Sequence, residues 1–158
     1  MKLSALILFS CAFLMPARLP AANNCPWLTK GSAETALGGN VSVNVQVSDS
    51  GTGTCTFSRV QATTKDGFKD VLKISVQKAP QANCPSGSPK LTGIGNEAVL
   101  CTVQRSPEES VEMIVSRVRE LHFTISMTSH KKPPKSTEAN YADSPIEQIA
   151  EQVAGNLF

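Results

Sequence analysis

Val41-Ser42-Val43-Asn44-Val45-Gln46-Val47 alternates apolar and polar residues without a break. Successive side chains of a strand point to opposite faces, so this period of two marks a half-buried strand and a sheet with one covered face. Residues 49–53 follow as a turn rich in Ser and Gly. Residues 54–58 then return with Cys55 and Phe57 on one face, which makes the pair a hairpin. A third strand runs through Leu72, Ile74 and Val76, and a fourth covers residues 98–103. Between them residues 79–93, with Pro80, Pro85 and Pro89, read as an irregular loop.

Residues 107–118 allow two readings. Ser106-Pro107-Glu108-Glu109 has the form of a capping box with proline at the first helical position, and Val111, Ile114, Val115 and Val118 fit helical spacing. The segment is also rich in β-branched residues, and Leu121, Phe123, Ile125 and Met127 continue it as an alternating strand. The preferred reading is a hairpin of 111–118 with 121–128, turning at Arg119-Glu120.

Helices bracket the strands. Thr29 is placed to cap a short helix with Ala33, Ala36 and Leu37 at helical spacing, ended by Gly38-Gly39. After a polar loop at 129–143, Ser144-Pro145-Ile146-Glu147 starts a second helix whose apolar stripe is Ile146, Ile149, Ala150, Val153 and Leu157. The order helix, about six mostly antiparallel strands, helix predicts an α+β layer architecture with both helices packed on the sheet. No internal repeat or second domain is visible.

The chain opens with the pattern of an export signal. Lys2 supplies the positive charge, residues 3–15 are an apolar run, and Pro16, Pro20 and Ala21-Ala22 lead to a small-residue cleavage site. That run is short of the ~20 apolar residues a membrane-spanning helix needs. Residues 1–22 are thus expected to be a signal peptide, cleaved after Ala21 or Ala22, and 23–158 a single domain, secreted or periplasmic. A lipoprotein reading would use Cys11, but apolar residues 12–14 still follow it. The signal holds Lys2 and Arg18 and no acid, so the formal charge of +2 belongs to it and the mature domain is neutral. Clustered Lys and Arg of the kind nucleic acid requires are lacking. Lys131-Lys132, followed by two prolines, reads as a solvated loop.

Cys25, Cys55, Cys84 and Cys101 remain after cleavage, and four cysteines behind an export signal imply a disulfide framework. Of the three possible pairings, Cys25–Cys55 with Cys84–Cys101 is favoured, because sequence neighbours pair easily and each bridge then ties an irregular segment to a strand. Zinc is the alternative use. No CxxC occurs, and His122 and His130 are the only histidines, so metal-ligand spacing is lacking. No metal or cofactor is expected.

Few residues suggest chemistry. Gly93-Ile94-Gly95-Asn96-Glu97 resembles a phosphate-cradling loop but lacks a third glycine and a following helix, so it reads as a turn into a strand. His122 as a general base has no nucleophile elbow to serve. Glu108, Glu109 and Glu112 lack the ligand pattern of a calcium loop. Arg117 and Arg119, alternating on one strand face, are candidates to pair with a carboxylate of a ligand or partner; edge charges that discourage aggregation are the plainer explanation. Trp27 is a candidate binding anchor, or a ring packed on a disulfide. Asn40-Val41-Ser42 matches a glycosylation acceptor, relevant only in a eukaryotic secretory pathway.

Cys25-Pro26-Trp27-Leu28-Thr29 with Ala33, Leu37-Gly38-Gly39 and Cys55-Thr56-Phe57 resembles the start of small bacterial exported domains of unknown function, many of them lipoproteins. Leu91-Thr92-Gly93-Ile94-Gly95-Asn96-Glu97-Ala98 is similar to their Gly-x-Gly-Asp-Glu-Ala turn, with Asn96 in place of the Asp. The stretch from Val118 to Phe123 and the amphipathic C-terminal helix also fit. The resemblance spans nearly the whole mature chain, which departs from those relatives in lacking a convincing lipoprotein cleavage motif. It implies a compact α+β fold and an envelope or secreted location, and no activity.

These observations favour a non-enzymatic binding or interaction domain for an unknown protein or small ligand of the cell envelope. The sheet face and the proline-rich loop are its expected contact surface. The alternatives are a small extracytoplasmic hydrolase built around His122, or a secreted protein inhibitor. The intact mass of the protein from an extracytoplasmic fraction is expected to begin near Ala22 or Asn23 with all four thiols oxidised. A mass that keeps the leader, or four free thiols, overturns export.

Overall fold

The computed structural model describes residues 24–60, 69–80, 82–106, 109–129 and 144–158. The expected signal peptide, Glu108, His130 and Lys131-Lys132 lie outside them. Helix α1 (Lys30–Leu37) precedes strands β1 (Ser42–Val47), β2 (Gly53–Val60), β3 (Lys69–Gln77), β4 (Lys90–Leu91), β5 (Glu97–Ser106), β6 (Glu109–Val118) and β7 (Leu121–Ser129), and helix α2 (Pro145–Leu157) follows. Among the described residues the strands form one sheet in the order β1-β2-β3-β7-β6-β5-β4, antiparallel throughout. The α+β architecture is as expected, with seven strands rather than six. The additional strand is the two-residue β4, where the proline-rich loop pairs Lys90 with Val99 and Leu91 with Ala98 of β5.

The alternating pattern sorts residues between the two faces. One row on the helix-covered face runs Val45, Cys55, Ile74, Ile125, Ile114 and Leu100 across six strands. All but Val45 are buried, and Phe57, Leu72, Val76 and Phe123 lie in the same core. Burying each such side chain stabilises the fold by about 1.5–3 kcal/mol, an upper figure because denatured chains already hide some apolar area. Helix α2 lays Ile146, Ile149, Ala150, Val153 and Ala154 on this face. Trp27 and Leu28 are buried beside it, and the Asn156 side-chain amide donates to the Trp27 carbonyl (2.9 Å).

The segment after Ser106 is a strand. The Ser106 hydroxyl accepts from the Glu109 amide (3.1 Å), as an N-cap would, but the chain pairs Glu109 with Ser106 and runs on as β6. The helical spacing arose because β6 is apolar on both faces: Ile114 and Val118 on the core side, Val111, Met113 and Val115 on the other. A strand covered on both sides loses the alternation that would identify it.

Helix α1 has only eight residues and survives through its ends. The Thr29 hydroxyl accepts from the Ser32 amide (3.1 Å), Gly38 takes φ 71°, and Gly39 donates to the Glu34 carbonyl (2.9 Å). The Arg59 guanidinium of β2 donates to the Leu37 carbonyl, placing a cation at the negative end of the helix.

Helix α2 begins less comfortably. Ser144 is extended ahead of Pro145, but its side chain makes no capping hydrogen bond. Burial, and the Glu151 and Glu112 carboxylates nearby, hold the Glu147 carboxyl above its ordinary value of 4.5; burial alone raises Glu112. A carboxyl whose folded-state pKa is raised opposes folding while ionised. That opposition is relieved as pH falls through the raised pKa and is gone below 4.5. Glu147→Gln is therefore expected to raise Tm by about 1–3 °C near neutral pH, a gap that closes on acidification. Thermal melts of the two proteins across this range check it, and a gap that widens in acid contradicts the assignment.

Candidate functional site: the open face of the sheet

Both helices pack on one side, so the residues of opposite parity form a second face. Its central row is Asn44, Thr56, Lys73, Ser126, Met113 and Cys101. The row on one side of it is Gln46, Thr54, Ser75, Thr124, Val115 and Val99, and on the other Ser42, Ser58, Val71, Thr128, Val111 and Val103. The face thus changes across its width. From β1 through β3 to β7 it is mainly hydroxyls and amides with Lys73; over β6 and β5 it is aliphatic.

The aliphatic side meets the loop between β3 and β4. Cys101 points to this face, and its bridge to Cys84 ties the loop to the sheet. The other bridge, Cys25–Cys55, lies on the core side and holds the segment before α1. Both expected pairings are present. Cys101 and Val111 are buried yet stand apart from the main core cluster, because the structure hides them on the second face. A groove of about 350 Å3 opens where the loop stops. Val103, Val111 and Met113 make its apolar wall, Lys73 and Arg105 bring positive charge, and Ser126 contributes a hydroxyl between them. Val103 is 42% exposed, unusual for a large aliphatic side chain in a strand. Among the described residues Arg105 has one ion pair, to Glu109 at 3.8 Å, long and with the arginine side chain exposed, and so weakly held.

The residues singled out in the sequence fall elsewhere. Trp27 is 3% exposed, a core residue with no surface to offer a partner. Arg117 and Arg119 do not share a strand face. Arg117 is the penultimate residue of β6 and pairs with Glu97 at 2.6 Å. Arg119 occupies the turn, at φ 55°, and its guanidinium lies 5.8 Å from the centre of the Phe158 ring. His122 is on the open face in register with Gln77 and Arg117, and its ring makes no hydrogen bond or ion pair with a described residue. Glu112 faces the helix side and Glu109 pairs with Arg105, so neither approaches a shared ligand position. Among the described residues no three His, Cys, Asp or Glu side chains are grouped to hold a metal ion. Lys73 and Arg105 were missed because neither sits in a motif; the signal available was two cations at outward positions of strands whose neighbours are hydroxylated or aliphatic.

Gly93-Ile94-Gly95-Asn96-Glu97 is a clamp on the β6–β7 hairpin. The Asn96 amide donates to the Arg117 carbonyl (2.7 Å), and its side-chain oxygen accepts from the Arg119 amide (2.8 Å). The buried Ser116 hydroxyl donates to the Ile94 carbonyl (3.2 Å). These bonds secure Arg119 in a conformation that residues other than glycine adopt at a cost of about 1–2 kcal/mol.

No protein-family model matches this chain, and no curated protein or solved structure is significantly similar to it. Its site is therefore read from its own geometry.

Gly93 and Gly95 separate two effects. Both have positive φ, 84° and 62°, but a Cβ on Gly93 meets nothing within 4 Å while one on Gly95 falls 2.5 Å from the Arg117 carbonyl oxygen. Gly93→Ala is expected to cost about 1 kcal/mol, and Gly95→Ala about 2–4 kcal/mol. Urea unfolding of both variants checks the order; equal costs would mean that the clamp is not closely packed.

Proposed function

We propose that the mature chain is a non-enzymatic binding domain of the extracytoplasmic space. Its open sheet face takes a ligand, or a segment of a partner, that presents an anionic group beside an apolar one. The observation that carries this reading is that Lys73 and Arg105 line one groove with an apolar wall of exposed Val103, half-buried Met113 and buried Val111. Apolar surface supplies affinity and a few polar groups fix orientation, the usual division of labour in small-ligand sites. The Cys84–Cys101 bridge supports the reading by holding the rim of the site in place before a ligand arrives, which lowers the ordering cost of binding. An extracytoplasmic setting fits a chain with two disulfides. No helix among the described residues is long and apolar enough to cross a membrane. A hydrolase centred on His122 gains no support, since no described residue orients that ring.

Dodecanoate and dodecyltrimethylammonium, compared by calorimetry, test the charge and the apolar wall together. The carboxylate is expected to bind and the ammonium not. Lys73→Glu with Arg105→Glu is expected to weaken dodecanoate binding by about tenfold or more, with Tm little changed because both side chains are exposed. Equal binding of the two amphiphiles, or of dodecanoate to parent and variant, overturns the proposal.

A further inference from the structure

The far edge of the sheet carries a second signal. Among the described residues β1 is the edge strand, and only β2 pairs with it. The hairpin fixes which of its backbone groups face outward. Ser48 donates to the Thr52 carbonyl (2.8 Å), so Ser48 and Thr52 form a hydrogen-bonded pair, and by alternation so do Gln46 with Thr54 and Asn44 with Thr56. The N–H and C=O groups of Val43, Val45 and Val47 therefore point away from the sheet.

Edges of this kind are usually protected by charge, proline or a bulge. Residues 40–48 contain no charged residue and no proline, and β1 runs in unbroken register with β2. The edge is also self-complementary. Ser42-Val43-Asn44-Val45-Gln46-Val47-Ser48 has the same order of residue classes read in either direction, with Val45 at its centre. A two-fold axis through Val45, normal to the sheet, would set Val45 against its own copy, Val43 against Val47, Asn44 against Gln46 and Ser42 against Ser48. Valines would then meet valines on the helix side and amides meet amides on the open side. A two-fold interface demands that one patch complement itself, and a sequence symmetric about the axis meets that demand. Beside this edge, on the helix side, Val43 borders a groove shared with Leu28, Phe57 and Cys25, where the partner's Val47 side chain would be accommodated.

We infer that β1 is a dimerisation edge: two copies of this chain pair β1 with β1 about a two-fold through Val45, joining their sheets into one of fourteen strands, twice the seven of each chain. Because the axis is normal to the sheet, both open faces lie on the same side. This edge lies beyond β2 from the groove over β3, β7, β6 and β5, so the inference does not rest on the proposed ligand.

Sedimentation of the mature chain at up to about 100 µM, a range that detects weak dimers, provides the test, with two double variants at exposed positions 44 and 46. Asn44→Lys with Gln46→Lys sets lysine against lysine twice across the axis and is expected to weaken the dimer by about tenfold or more. Asn44→Lys with Gln46→Glu sets lysine against glutamate twice and is expected to dimerise at least as well as the parent. A parent that stays monomeric overturns the inference. So does a dimer indifferent to the lysine pair, or one disrupted equally by both variants. Circular dichroism of all three proteins shows that each is folded.

Discussion

Cys55 and Cys101 point to opposite faces of the same sheet, and much of the structure follows from that difference in parity. Each is buried, and each anchors an irregular segment that could not hold itself in place. The first bridge fixes the approach to α1 and so the position of Trp27 and Leu28 under α2. The second ties the proline-rich loop to β5. On the chain-entropy account, closing loops of this length disfavours the unfolded ensemble by roughly 3–4 kcal/mol each. The structural effect is more specific than that figure. One staple completes the core and the other ties an irregular segment to the opposite face, where Cys101 and Val111 are buried although both helices lie on the other side.

This burial on the second face explains what the sequence displayed and what it concealed. Val41 to Val47 and Leu121 to Met127 alternate cleanly because one set of side chains enters the core and the other meets water or hydroxyl neighbours. Strand β6 does not alternate because Val111, Met113 and Val115 are apolar on the open face, with Val111 buried there, while Ile114 enters the core. The turn at Arg119-Glu120 was legible from the strands flanking it. The strain at Arg119 was not, since the stabilising partner is Asn96, more than twenty residues away in sequence. Strand β4 was illegible for a related reason: two residues carry no period, and Lys90 and Leu91 are in a strand only because β5 lies beside them.

The candidate surface was legible as a region and not as residues. The sheet face and the proline-rich loop were identifiable from strand periodicity and from Cys84. The arginines chosen from the pattern of 117–119 proved to serve the hairpin end, one paired with Glu97 and the other in the turn. Lys73 and Arg105 come from strands separated by two others in the sheet, and no local window in the sequence brings them together. A groove assembled across β3, β7, β6 and β5 is a property of register, which the sequence constrains only through the face each residue takes.

The two edges of the sheet are treated differently. At the β5 end, charge and irregularity are plentiful: Lys90, Glu97, Arg105 and Glu109 stand on or near the last strands, β4 has two residues, and the register shifts between Gln104 and Ser106. These are the devices by which sheets resist adding strands. At the β1 end such devices are missing over six paired residues, and the amides of Asn44 and Gln46 replace the lysines found elsewhere on this fold. The contrast is what a sheet requires if one edge must remain closed beside a binding groove while the other is free to meet its own copy.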